Sequence, residues 1–194
     1  MAQKIKTKQI SSGTEVSGKT IVSDGSGATI FKFPQIEKGF VFPTSPMDGD
    51  QFYYITDKTL YKYDLSRTKW LSVSTKLLIA GKGSIGKNVS GYLGVSDAVH
   101  SSADGFKMIK NGTIISASID NSTILTSSRT TEIRINNSNT NKIALTILAG
   151  NKSTYASNFN LNFNAEDLIQ CITLLNNADI MNNITLIMEI AYRP

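Results

Sequence analysis

Polar and apolar positions alternate along most of this chain, in short runs separated by Gly, Asn, Ser and Asp clusters. A period of two puts successive side chains on opposite faces of a strand, so the pattern predicts many short β-strands. It is plainest at 155–163, where Phe159, Leu161 and Phe163 share one face and Asn158, Asn160 and Asn162 the other. Further strands are expected at 77–80, 113–119, 131–135, 142–148, 168–174 and 184–192, and such regular spacing argues for a sandwich or barrel. The last differs in running almost unbroken through Leu186, Ile187 and Met188, as a strand covered on both faces would. Residues 165–176 break the pattern. Leu168, Ile169, Cys171, Ile172, Leu174 and Leu175 fall at helical spacing behind Asn164 and an acidic Glu166 and Asp167, so periodicity alone favours a helix there.

The first seventy-five residues divide in two by content. Residues 1–40 alternate with little bulk, in predicted strands at 5–10, 18–23 and 28–33 with a turn at Asp24 and Gly25, too few large side chains for a core of their own. Residues 41–75 gather aromatics and predict three strands at 51–56, 59–63 and 69–73, with Leu60 and Trp70 as anchors and Tyr54, Tyr61 and Tyr63 pairing across them. Residues 76–194 form the third region. The fold class expected is therefore all-β, in the order strand-rich segment, small aromatic module and larger sandwich.

Composition strengthens this reading. Of 194 residues 40% are hydrophobic, enough for a real core, while only 18% are charged and Ser, Thr, Asn and Gly carry the rest of the polarity. The net charge of +5 raises nucleic acid as a partner, but Lys4, Lys6 and Lys8 alternate with Ile5, Thr7 and Gln9, the pattern of one charged strand edge, and no nucleic acid is expected. No apolar stretch is long enough to insert in a membrane or to serve as a signal peptide, so a soluble chain is expected. The single Cys171 lies in an apolar run, where a buried, inert thiol is the ordinary outcome.

The candidate chemistry is thin. Gly81, Gly83, Gly86 and Lys87 satisfy dinucleotide and phosphate-loop spacings, but Asn88 stands where the loop needs Ser or Thr for magnesium, and the glycines at 91 and 94 spoil the required helix. A flexible glycine loop between β units is expected instead. His100 is the only histidine, in a polar loop with Asp97, Ser101 and Asp104 but without a nucleophile elbow. Asp48 and Asp50 flank Gly49 as turn formers do. The aromatics could stack on sugars, although core packing is their commoner fate. No catalytic residue, metal or cofactor is expected.

Two stretches carry a resemblance. Pro43, Pro46, Gly49, Asp50, Phe52, Tyr53, Tyr54, Leu60, Tyr61, Tyr63, Asp64 and Trp70 resemble a short module of phage fibre, whisker and appendage proteins. Tyr92, Leu93 and Gly94, then Asp104, Gly105 and Phe106, then Asn111 to Ala117, with the terminal strand from Asn183, look like the tumour-necrosis-factor or C1q-like jelly roll of phage head-fibre and decoration proteins. In that family Ala165, Glu166 and Asp167 sit where an Ala-Gly-Asp turn stands, although Glu166 replaces the glycine. The resemblance therefore implies a turn followed by a strand, and this is the expectation taken for 165–176. It also implies a homotrimeric virion protein, made in the host cytoplasm and released by lysis. Leu186, Ile187, Met188 and Ile190 would be trimer-interface candidates. Lys4, Ile5, Lys6, Lys8 and Ile10 would dock on the major capsid protein or another virion protein. A host glycan or receptor is the alternative partner.

Overall fold

A computed structural model describes residues 20–23, 29–32, 36–95, 100–175 and 179–194. The described residues are all-β, with no helix and therefore none long and apolar enough to cross a membrane. In an N-terminal unit, Met1–Lys38, β1 (Thr20–Ser23) pairs antiparallel with β2 (Thr29–Lys32), Thr20 opposite Lys32. The docking candidates Lys4, Ile5, Lys6, Lys8 and Ile10 lie outside the described residues.

The second unit, Gly39–Pro194, holds the rest. Its aromatic sheet is β4 (Gln51–Tyr54), β5 (Thr59–Asp64) and β6 (Lys69–Ser72), antiparallel, and the Ile55 N–H donates to the carbonyl of Gly39, the last residue of β3 (Glu37–Gly39), at 3.0 Å. Alternation along these strands turns Phe52, Tyr61 and Trp70 to one face, where they are buried with Phe42, Tyr54 and Tyr63 packed around them. Phe42 is the hub, with ring centroids 4.9 Å from Phe52, 4.8 Å from Tyr54 and 5.2 Å from Trp70. Leu60, one position out of phase with Tyr61, is half-buried and outside this cluster.

The remaining strands are β7 (Thr75–Ile85), β8 (Gly91–Leu93), β9 (Phe106–Lys107), β10 (Gly112–Asp120), β11 (Arg129–Ile135), β12 (Lys142–Ile147), β13 (Ser153–Phe163), β14 (Leu168–Thr173) and β15 (Met181–Tyr192). They fold as one long hairpin rolled up: β7 pairs with β15, β8 with β14, β10 with β13 and β11 with β12. That nesting is a jelly roll. It yields two sheets, β13-β10-β15-β7 and β12-β11-β14-β8, with β9 also on β14. Ile114, Ala117, Ile119, Ile133, Phe163, Ile169, Cys171, Leu186 and Met188 fill one core between them. A fully buried Ile or Leu contributes roughly 1.5–3 kcal/mol, so this layer dominates stability.

One sequence expectation changes here and another holds. The glycine loop is shorter than expected, confined to the turn at Gly86, Lys87 and Asn88, because β7 runs through to Ile85 and a Cβ on Gly81 would lie 2.8 Å from the Ile184 carbonyl oxygen. Gly81 is needed for the close approach of two backbones. The helical periodicity of 165–176 gives way to a turn and strand β14, the arrangement the family resemblance implied. Asp167 accepts the Asn164 N–H at 2.6 Å and Glu166 takes φ 72°, so the apparent cap closes a turn. β14 lies between β11 and β8, with Ile169 and Cys171 facing the core and Gln170 and Ile172 also covered, so burial is continuous along it rather than alternating.

Candidate functional site

The sequence-predicted interface residues separate by alternation. Leu186, Met188 and Ile190 face the core and are fully buried, whereas Ile187 projects half-buried from the opposite face. There the pairing registers set Tyr155, Ser118, Ile187 and Ile79 in one row across the sheet. In the next row Glu189 stands opposite Leu77, and the Ser116 hydroxyl donates to Glu189 at 2.8 Å. Tyr155, Leu77 and Ile79 are 74%, 62% and 53% exposed, so this outer face presents large apolar side chains to solvent, interspersed with Ser116, Ser118 and Glu189.

The outer face of the other sheet has the opposite character. Glu132 is buried on it and held by Arg134, whose Nε and Nη2 donate to one carboxylate oxygen at 2.8 and 2.6 Å, and by Lys142 on the other oxygen. Burial pushes against ionisation of Glu132, but the hydrogen bonds and charges of Lys142 and Arg134 outweigh it and hold the carboxyl below its usual range. The native state thus binds this proton less readily than the unfolded chain. Its stabilisation is complete above the unfolded glutamate value, about 4.3, and declines as pH falls through the lower folded value. Glu132→Gln is expected to lose about 2 kcal/mol at pH 7 and to flatten the fall in Tm below pH 4, as thermal melts from pH 2 to 7 would read.

The aromatic sheet is clasped to this body. β10 slips register between Ile114 and Ser116 against both neighbours, and Asn158 opposite takes φ 63°. The slip frees two carbonyls. Arg67, in the turn after β5, donates from Nε to Phe159 O at 2.6 Å and from Nη2 to Ile115 O at 3.3 Å, while Nη1 pairs with Asp64. Lys69 adds bonds to Asn160 and Asn162 at 2.6 and 2.7 Å, and Ser72 accepts the Tyr192 N–H at 2.8 Å. Arg67→Ala is expected to cost about 2 kcal/mol in urea unfolding, because both carbonyls lose this donor and Asp64 its ion pair; Arg67→Lys should not restore it, since one ammonium cannot reach in all three directions.

None of the alternative chemistry assembles. At the end of β7 it is carbonyls, not N–H groups, that converge: Gly86 O and Val89 O accept from Arg129 Nη2 at 3.2 and 2.8 Å. That geometry binds a cation and would repel a phosphate. Ser101 donates to Asp104 at 2.7 Å, while the His100 ring packs edge-on against Phe106 at 4.9 Å and its Nδ1 has no hydrogen-bond partner among the described residues. Asp50 accepts the Met47 N–H and Asp48 the Leu65 N–H, as turn formers. Cys171 is in the core, its thiol pKa pushed up by burial. Among the described residues no group of three His, Cys, Asp or Glu side chains is placed to hold a metal ion.

Sequence reasoning missed Arg67, Arg129 and Glu132. Arg67 and Arg129 satisfy backbone carbonyls from distant parts of the chain, which no local pattern marks, whereas Glu132 pairs with Arg134 two residues on and Lys142 on the next strand, a spacing that alternation could have pointed to.

Among solved structures the chain is similar to PRD1 vertex protein P5, at 13% identity and a TM-score of 0.42, over 79% of this chain and 87% of that chain. No protein-family model and no curated protein matches it.

Proposed function

We propose that this chain is a non-enzymatic structural protein of a phage virion, a head fibre, decoration or tail appendage. Three copies assemble through the outer face of the β13-β10-β15-β7 sheet, and the N-terminal region, with Lys4, Ile5, Lys6, Lys8 and Ile10, docks on the major capsid protein or another virion protein. The observation that carries this reading is the contrast between the two outer faces. One presents Leu77, Ile79, Tyr155 and half-buried Ile187 to solvent, and the other is closed by the Glu132, Arg134 and Lys142 network. Covering the apolar face with further copies removes that surface from water, at roughly 25 cal/mol per Å². The jelly-roll nesting and the resemblance of the aromatic module to virion appendages support the same reading.

In this assembly Ile187 is the interface residue of the terminal strand, and Leu186, Met188 and Ile190 support it from the core. Binding, not turnover, is the activity, and three sites on one rigid body convert modest contacts into avidity. Light scattering of the purified full chain tests the assembly. The expected mass is three times the 21.1 kDa chain, and a monomer at micromolar concentration would overturn it.

A further inference from the structure

A cleft of about 450 Å³ opens along the seam between the aromatic sheet and the jelly roll. Its volume falls in the range of small-ligand sites, and seams of this kind are where such sites concentrate. Leu71, Ala191 and Ser72 are its buried lining, and Lys62, Asn158 and Asp48 its exposed rim. The polar groups sort into two sets. Arg67, Asp64 and Ser72 are spent on the clasp: Arg67 on two carbonyls and Asp64, Asp64 on Ser66 as well, and Ser72 on Tyr192 and Ser74. The Lys62 ammonium and the Asn158 carboxamide make no hydrogen bond to any other described residue, and one oxygen of Asp48 is committed to Leu65 N–H, leaving the other open.

We infer that this cleft is a binding site for a neutral, hydroxyl-rich ligand, a hexose or N-acetylhexosamine unit of a glycan chain. The open groups combine an ammonium as donor, a carboxamide that both donates and accepts, and a carboxylate as acceptor, the mixture that vicinal hydroxyls satisfy in pairs. The positive and negative rim groups, Lys62 and Asp48, oppose each other, and Asp64 is neutralised by Arg67, so nothing in the cleft selects a net charge on the ligand. The apolar carbons of a sugar face can lie against Leu71, Val73 and Ile115 while its hydroxyls meet the rim. Asn158 is placed for this by the same register slip that Arg67 fills, so the clasp and the cleft have one structural origin. The inference deepens the binding reading above but does not need the trimer.

The test is a printed array of neutral hexose and N-acetylhexosamine oligosaccharides, probed with the full chain, followed by calorimetry on the best binder. Lys62→Ala and Lys62→Met each remove the open ammonium, the second keeping most of the aliphatic stem. Asn158→Gly removes the carboxamide while tolerating φ 63°, which alanine would not. Each variant is expected to weaken binding about tenfold with Tm unchanged within about 2 °C. A blank array, or binding that all three variants leave intact, overturns the site. Light scattering on the same samples reads the trimer separately, so a monomer that binds sugar sinks only the assembly and a trimer that binds none sinks only the cleft.

Discussion

Arg129→Met is expected to lower the melting temperature by about 10 °C, the largest stability loss of any single change away from the hydrophobic core. Arg129 is only 2% exposed, and its donors reach five backbone carbonyls: Nε to Leu174, Nη1 to Ile85 and Asp179, and Nη2 to Gly86 and Val89, at 2.7–3.4 Å. Three of those carbonyls belong to the β7 end and the turn after it, and two to the connection from β14 to β15. Met fills a similar volume but takes this donor from all five, which lie buried or part-buried, at an expected cost of about 4 kcal/mol. Lys should rescue little, since three donors radiating from one nitrogen cannot follow the guanidinium fork. Urea unfolding followed by circular dichroism measures the difference. A loss below about 1 kcal/mol would mean that water replaces the guanidinium, and the staple would not be what holds that end together.

How far the sequence led follows the same division. Period-two patterning located the strands because a half-buried strand must alternate: Phe159, Leu161 and Phe163 do lie on one side of β13, with Leu161 and Phe163 buried. It failed at β14, where both faces are covered and the apolar residues no longer report a period, and there the family resemblance corrected it. It passed over β8 and β9, three and two residues long, which exist only because β14 offers them an edge. Glycine spacing misled for a related reason. At Gly81 the requirement is backbone approach to Ile184, a contact more than a hundred residues away in sequence, and the same letters spell a phosphate loop when read locally. Of the site, the almost unbroken apolar run of the terminal strand implied cover on both faces, without telling which of its residues face outward. That Leu77, Ile79 and Tyr155 join Ile187 on one outer face depends on registers among four strands, which no local pattern contains.

Those registers make the second large prediction specific. Ile79→Glu combined with Ile187→Glu is expected to turn the proposed trimer into a monomer while the β-sheet spectrum persists. The two positions are direct cross-strand partners on β7 and β15, so the substituted pair places two carboxylates side by side at the centre of the proposed interface. In the isolated chain the two new carboxylates would face solvent and repel each other mildly. In the trimer every copy would have to bury that pair without a cation, because Glu189 is the nearest charge in the neighbouring row and is itself acidic. Losing two isoleucines' burial at roughly 1.5–3 kcal/mol each, in each of three chains, adds to that penalty. Ala144→Lys is the control: it is exposed on the opposite outer face, across from Glu132, and should leave the mass at three chains. Light scattering at matched concentrations reads all three proteins. A double variant that stays trimeric would move the interface off this face, and a control that also dissociates would point to the Glu132 network as the contact instead.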